Sequence, residues 1–276
     1  MEKAKKVRAD VALVERGLAE SREKAQALIM SGVVYIDEDQ VTKASQNIKP
    51  EDNLLVRGAA HPYVSRGGLK LEKAIKVFSC DVTGVTAMDL GASTGGFTDV
   101  LLQNGAKHVY SIDVGFGQLD WRIRNDPRVT VMERTNARAI TADMFPERPT
   151  LAVMDVSFIS IKLILPAACQ ILGSEGRFLT LIKPQFEAGR ERVGKKGVVS
   201  DPDVHFDVVR SIVDFVPTIG WRAQALDFSP IRGPEGNIEF LADLVPEGRE
   251  HSPAPTDEEI RALVCRAHEQ TERHPG

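Results

Sequence analysis

Cysteine is scarce in this chain of 276 residues: three, Cys80, Cys169 and Cys265, stand about ninety positions apart. That spacing excludes a zinc ribbon or a small disulfide scaffold and points to the reduced cytosol. Long apolar runs are missing as well. The longest candidate, 151–172, is broken by Asp155, Lys162 and Pro166, and a charge at mid-membrane costs roughly 3 kcal/mol or more, so no membrane span is expected. The basic start Met1–Lys6 runs into polar Arg8-Ala9-Asp10 rather than an apolar core, which is no secretory signal. A dominant charge sign is also lacking: 35 Lys plus Arg against 39 Asp plus Glu give −4. Any nucleic-acid surface must therefore be local. Repeats and low-complexity tracts are absent.

What is present divides in two. Residues 1–57 read as a small α+β module. Leu13, Val14 and Leu18 mark a first helix that stops near Gly17. Ser21 caps a second, carried by Ala25, Leu28 and Ile29 and ended by Gly32. A strand Val33–Ile36 follows, then turn chemistry at 37–40, a second turn at Lys49–Asp52, and a strand at Leu54–Val56. Residues 58–63 read as a linker.

From Val64 to Pro246 apolar strands alternate with helical stretches, the pattern of an α/β, Rossmann-like, mostly parallel sheet of seven strands. The strands fall at 87–90, 109–113, 129–132, 151–155, 178–182, 223–228 and 239–244; helices fall at 69–78, 97–104, 161–172, 202–216 and 257–272. Asp201-Pro202 and Thr256…Glu259 are helix-start signals. Residues 247–276 form a spacer and a terminal helix.

The strand ending at Leu90 runs into Gly91-Ala92-Ser93-Thr94-Gly95-Gly96 and then a helix. Glycines there allow a tight turn and close ligand approach at the carboxyl edge of the sheet. Asp113, 24 residues after Asp89, stands where a carboxylate accepts from a ribose diol. The spacing is neither G-x-G-x-x-G nor a P-loop, and S-adenosylmethionine fits it better than a dinucleotide; a nicotinamide oxidoreductase stays as a rival at the level of fold. Asp155 ends a strand, Lys183 follows one, Glu239 opens the last one, and Lys70 begins the helix before the first strand. Two lysines and two carboxylates at one sheet edge would balance in charge and tune one another. Such a set suits proton removal from a sugar hydroxyl, with Lys183 as base and Asp155 as its anchor. No metal-ligating cluster is seen.

Val64-Ser65-Arg66-Gly67-Gly68-Leu69-Lys70-Leu71, Asp89–Thr98, Asp113–Leu119, Glu133–Arg138, Asp155–Ser160 and Lys183-Pro184-Gln185-Phe186-Glu187 together resemble the TlyA, or haemolysin A, family through nearly the whole chain. The resemblance implies an FtsJ-like domain that methylates the 2'-oxygen of cytidine in ribosomal RNA of one or both subunits. It implies that Lys70, Asp155, Lys183 and Glu239 are the catalytic tetrad. It further implies that Gly91, Ser93, Thr94, Gly95, Gly96, Phe97 and Asp113 line the S-adenosylmethionine pocket, with Arg134, Asn136, Asp155 and Phe158 beside them.

The first sixty residues are similar to the RNA-binding module of a small-subunit ribosomal protein, so Arg8, Arg22, Lys24 and Lys43 are expected on an RNA-facing surface. With ten basic and ten acidic residues in that stretch, the surface must come from arrangement. Basic runs at Arg66, Lys70, Lys73, Lys76 and at Arg190, Arg192, Lys195, Lys196 extend the expectation. The implied partner is ribosomal RNA or a ribosomal subunit in the cytoplasm, with no obligate protein partner. The alternative is an RNA-binding, haemolysin-like protein without methyltransferase activity.

Overall fold

The computed structural model describes residues 6–19, 21–30, 32–37, 39–56, 61–248 and 253–273, with side chains through 270. Residues 58–60 of the expected linker and 249–252 of the expected spacer lie outside the described residues. The chain forms two compact units, Met1–Arg66 and Gly67–Gly276.

In the first unit β1 (Val7–Arg8) leads into α1 (Ala9–Glu15), followed by α2 (Arg22–Met30), β2 (Val34–Ile36), β3 (Asp39–Gln40), β4 (Asn47–Ile48) and β5 (Leu54–Val56). The order β3-β2-β5 makes one small antiparallel sheet, and β1 pairs with β4 in another. Ser21 behaves as a cap, its Oγ accepting from Lys24 N at 3.2 Å. Ala9, Ala12, Leu13, Ala25, Ile29, Val34, Val41 and Ile48 form the core. One expectation is corrected here: Asp39-Gln40 are strand residues, not turn, because Tyr35 and Ile36 fold back onto them in a hairpin.

The second unit begins with α3 (Gly68–Val77). Then come β6 (Thr86–Leu90), α4 (Gly96–Gln103), β7 (His108–Ile112), α5 (Trp121–Arg124), β8 (Val129–Met132) and β9 (Leu151–Met154). The chain continues through α6 (Leu165–Leu172), β10 (Arg177–Ile182), α7 (Pro184–Glu187), α8 (Pro202–Phe215), β11 (Trp221–Phe228), β12 (Phe240–Pro246) and α9 (Asp257–Arg273). The seven strands form one sheet in the order β11-β12-β10-β9-β6-β7-β8. Six run in one direction, while β12 lies antiparallel between β10 and β11. β6 and β9 are buried along their whole length, as central strands covered on both faces are; β9 is apolar throughout, while β6 carries Thr86 and Asp89. The start signals work as read: Asp201 accepts from Asp203 N at 2.9 Å with Pro202 in the first turn of α8. Thr256 and Glu259 close a reciprocal cap at the head of α9.

The inserted antiparallel strand decides the site. Parallel β9 and β10 present their carboxyl ends at one edge of the sheet. β12 runs the opposite way, pairing Phe240 with Ile182, and so brings its amino end to that same edge. Asp155, Lys183 and Glu239, each one residue outside its strand, thereby share one rim.

Candidate active site

The four ionisable residues form a continuous chain of contacts. Glu239 Oε2 lies 2.7 Å from Lys70 Nζ, which lies 3.2 Å from Asp155 Oδ2; Asp155 Oδ1 lies 2.5 Å from Lys183 Nζ. Lys70 reaches them from the first turns of α3, whose buried positions Gly68, Lys70, Leu71 and Ala74 face inward at helical spacing. Exposure differs between the two carboxylates: Glu239 is 1% exposed and Asp155 19%. Lys70 and Lys183 are buried to a similar degree, at 8% and 10% exposed.

Burial pulls the Lys70 ammonium down, but Asp155 and Glu239 more than reverse it and hold its pKa above the ordinary lysine value. Burial pushes Asp155 up, and Lys70 and Lys183 outweigh it, leaving its carboxyl below the usual range. Lys183 also donates to Ser157 Oγ at 3.0 Å. Ser157 was not singled out in the sequence as part of the site. The available signal was a hydroxyl two residues beyond a strand-end carboxylate.

The glycine turn sits at the adjoining strand end. Gly91 and Gly95 have φ of 84° and 95°. A Cβ on Gly91 would meet the Asp155 carbonyl at 2.9 Å, and one on Gly95 the Leu119 side chain at 2.9 Å. Packing within the protein therefore demands both glycines, over and above any ligand. Asp113 accepts from Ser93 N at 2.8 Å and from Gly115 N at 2.7 Å, tying the glycine turn to the loop after β7. Thr94 carbonyl accepts from Asp120 N. Gly96 and Phe97 open α4 and are buried, so this pair offers a ligand backbone rather than side chain. Arg134 lies over the Phe116 ring at 4.3 Å, and the Asn136 side chain accepts from Arg138 N. Phe158 is 91% exposed at φ 65°.

Beneath the turn, Asp89 Oδ2 accepts from Thr98 N at 3.0 Å and Thr98 Oγ1 at 2.7 Å, while Oδ1 is buried with no hydrogen-bond partner among the described residues. An orphaned acceptor at the floor of a glycine turn fits a ligand that carries a cationic donor. Burial pushes this carboxyl up to about 7, against the pull of Thr98. The folded protein therefore favours protonated Asp89. That contribution to stability is complete below the ordinary carboxylate value of 3.8 and is lost as pH rises through about 7. The displacement corresponds to on the order of 4 kcal/mol. Asp89→Asn should flatten the difference in unfolding free energy between pH 4 and pH 8, measured by urea titration; an undiminished pH slope would refute it.

Two cavities lie elsewhere. One of about 360 Å³ is walled by α8 and α9, and one of about 480 Å³ by α3, β11 and α9. Neither is lined by any of the four charged groups. Among the described residues, no helix is long and apolar enough to cross a membrane, and no cluster of His, Cys, Asp or Glu could hold a metal ion.

The expected RNA-facing residues divide. In the first unit Arg8 and Arg22 both reach the buried Asp10, at 2.9 and 3.1 Å, with Gln26 adding a third donor. The two guanidinium groups, about half exposed, are thus fixed side by side by one carboxylate. Hydrogen bonding from Arg8 is the main reason that carboxylate lies far below its ordinary range. Lys24 and Lys43 are exposed, and Arg66 is half-buried. In the second unit the run Lys70, Lys73, Lys76 does not form a basic strip. Lys70 is in the site, and Lys73 is held by Asp227 at 3.3 Å and the Phe228 carbonyl at 2.6 Å. Arg192 is bound to Asp207, whereas Lys195 and Lys196 are exposed.

Residues 63–244 match the FtsJ-like methyltransferase family, and residues 7–54 match the S4 domain. The chain is 52% identical to the Bacillus subtilis protein YqxC, provisionally named an rRNA methyltransferase, over 96% of this chain and 95% of that one. It is 43% identical to the 16S/23S rRNA (cytidine-2'-O)-methyltransferase TlyA of Mycobacterium tuberculosis, over 86% of this chain and 89% of that one. Among solved structures, a Streptococcus thermophilus protein described as a hemolysin superposes with a TM-score of 0.78 at 44% identity, covering 98% of both chains. FtsJ-like methyltransferases take their methyl group from S-adenosylmethionine. The sequence matches and the whole-chain superposition agree: this chain belongs to the TlyA/hemolysin family, an FtsJ-like methyltransferase domain preceded by an S4 domain.

Proposed function

We propose that this protein methylates the 2'-oxygen of a cytidine in ribosomal RNA, with Lys183 receiving the proton of the attacking hydroxyl. The observation that carries the reading is the contact chain Glu239–Lys70–Asp155–Lys183 at the carboxyl edge of the sheet. S-adenosylmethionine, when bound, supplies an electrophilic methyl group on a sulfonium centre. Gly91, Ser93, Thr94, Gly95, Gly96, Phe97 and Asp113 would hold it, with Asp89 Oδ1 as the buried acceptor and Arg134, Asn136 and Phe158 close by.

The chain's own residues then divide the remaining work. Lys183 Nζ donates to Ser157 and is ion-paired with Asp155; in its neutral form the amine has two hydrogens and one lone pair, and the lone pair is the position left for the sugar hydroxyl. As that oxygen attacks, its proton passes to a neutral Lys183 Nζ, and the Asp155 carboxylate stabilises the ammonium that results. Lys70 keeps Asp155 ionised and in place, and Glu239 holds Lys70. Arg8 and Arg22, fixed by Asp10, together with Lys24, Lys43, Arg66 and Lys195, contact RNA phosphates and set position rather than sequence.

The test is mass spectrometry of nucleosides from ribosomal RNA treated with and without the protein and S-adenosylmethionine. The expected product is a cytidine with its added methyl on the sugar fragment; a methyl confined to a base would overturn the chemistry. Calorimetry should show saturable binding of S-adenosylmethionine and none of NAD.

A further inference from the structure

The motif Lys183-Pro184-Gln185-Phe186-Glu187 contains more than its lysine. Two side chains of α7 reach back to the loop that follows Asp155. Glu187 Oε2 accepts from Ser160 Oγ at 2.7 Å, and Oε1 accepts from Ile161 N at 2.8 Å. One residue earlier, the Phe186 ring packs 5.2 Å from the Phe158 ring. The loop is thus held at its near end by Asp155 and Ser157 on Lys183, at its middle by Phe186, and at its far end by Glu187.

A loop of this shape needs holding. Phe158 has φ of 65° and an exposed ring, a left-handed conformation that a bulky side chain adopts only when its surroundings impose it. Ser157, which touches Lys183, is itself exposed, so burial does not fix it. The Glu187 carboxyl is raised by burial, against the pull of Ser160 and Ile161. Those two bonds are what a half-buried carboxylate gains at this place.

We propose that Glu187 is a positioning residue for methyl transfer: by clamping Ser160 and Ile161 it fixes the 157–161 loop and so keeps Ser157 on Lys183. This rests on the reading of Lys183 as the proton acceptor. Glu187 acts through the loop and takes no proton in the reaction.

Glu187→Ala removes both acceptors. Glu187→Gln keeps one for the Ile161 amide and offers an N–H that Ser160 Oγ accepts. Single-turnover methylation of unmodified ribosomal subunits should fall about 10- to 100-fold in rate for Glu187→Ala. KM for the subunits and the calorimetric affinity for S-adenosylmethionine should stay within about threefold of wild type, and Glu187→Gln should recover most of the rate. Hydrogen exchange at the Ile161 amide should accelerate at least roughly tenfold in Glu187→Ala alone, a readout independent of catalysis. If Glu187→Ala fails to fold, Ser160→Ala, which removes one arm of the clamp, replaces it with a smaller expected loss of rate. An active wild type with an unimpaired alanine variant, or a glutamine variant as slow as alanine, overturns this inference alone. A wild type that puts no methyl on ribose overturns the reading beneath it.

Discussion

Lys183→Ala is expected to lower the methyl-transfer rate by about 10³-fold, the middle of what one positioned acid or base contributes, while affinity for S-adenosylmethionine stays within about threefold. The separation follows from the geometry. Lys183 Nζ is bound to Asp155 and Ser157, whereas Asp89, Ser93 and Asp113 belong to the neighbouring turn. Lys183→Arg should be nearly as inactive, since a guanidinium keeps its proton at any accessible pH. Rapid-quench single-turnover assays with calorimetry on the same preparations decide it. An alanine variant with more than about a tenth of the wild-type rate would remove Lys183 from the role. Asp155 imposes no acid limb near neutrality: its carboxyl lies below the usual range, so its contribution holds above the ordinary value and fails only as pH drops through the depressed one.

Lys70→Met carries the largest expected cost to the fold. It strands Glu239, a carboxylate 1% exposed whose ion-pair partner is Lys70 at 2.7 Å, and breaking a buried pair on one side costs about 3–5 kcal/mol. For a unit of this size that is a fall of roughly 6–20 °C in melting midpoint. The double variant Lys70→Met, Glu239→Leu should regain most of that stability, since no unpaired charge is left in the interior, yet stay catalytically impaired because Asp155 has lost one of its two lysines. Thermal melts of both single variants and the double, read as a cycle, give the coupling. Additive losses in the double variant would show that the two groups do not depend on each other.

The strands of the second unit were readable to within two residues at either end, because apolar runs bounded by Gly, Pro and polar clusters leave few alternatives for a buried strand. Several short elements were not. β1, β3, β4, α5 and α7 span two to four residues, too few for a period of 2 or 3.6 to repeat. Likewise Arg8 and Arg22 were legible as basic residues of an RNA-facing surface, but not as two arms on one Asp10. Lys73 read as part of a basic strip until the fold brought Asp227 to it. Ser157 and Glu187 stood inside motifs already singled out, and only their distances show what each holds.

By itself the sequence determined the residue types: an alternating α/β pattern, a glycine turn after a buried strand, and two lysines and two carboxylates at element ends. These are local properties, set by side-chain chemistry and by the few backbone shapes that glycine and proline permit. The tertiary structure decided which of them meet. Placing β12 antiparallel against β10 delivers Glu239 to the edge that holds Asp155 and Lys183, and strand order and direction arise from packing between segments far apart in the chain. The same long-range packing buries Glu239 more deeply than Asp155.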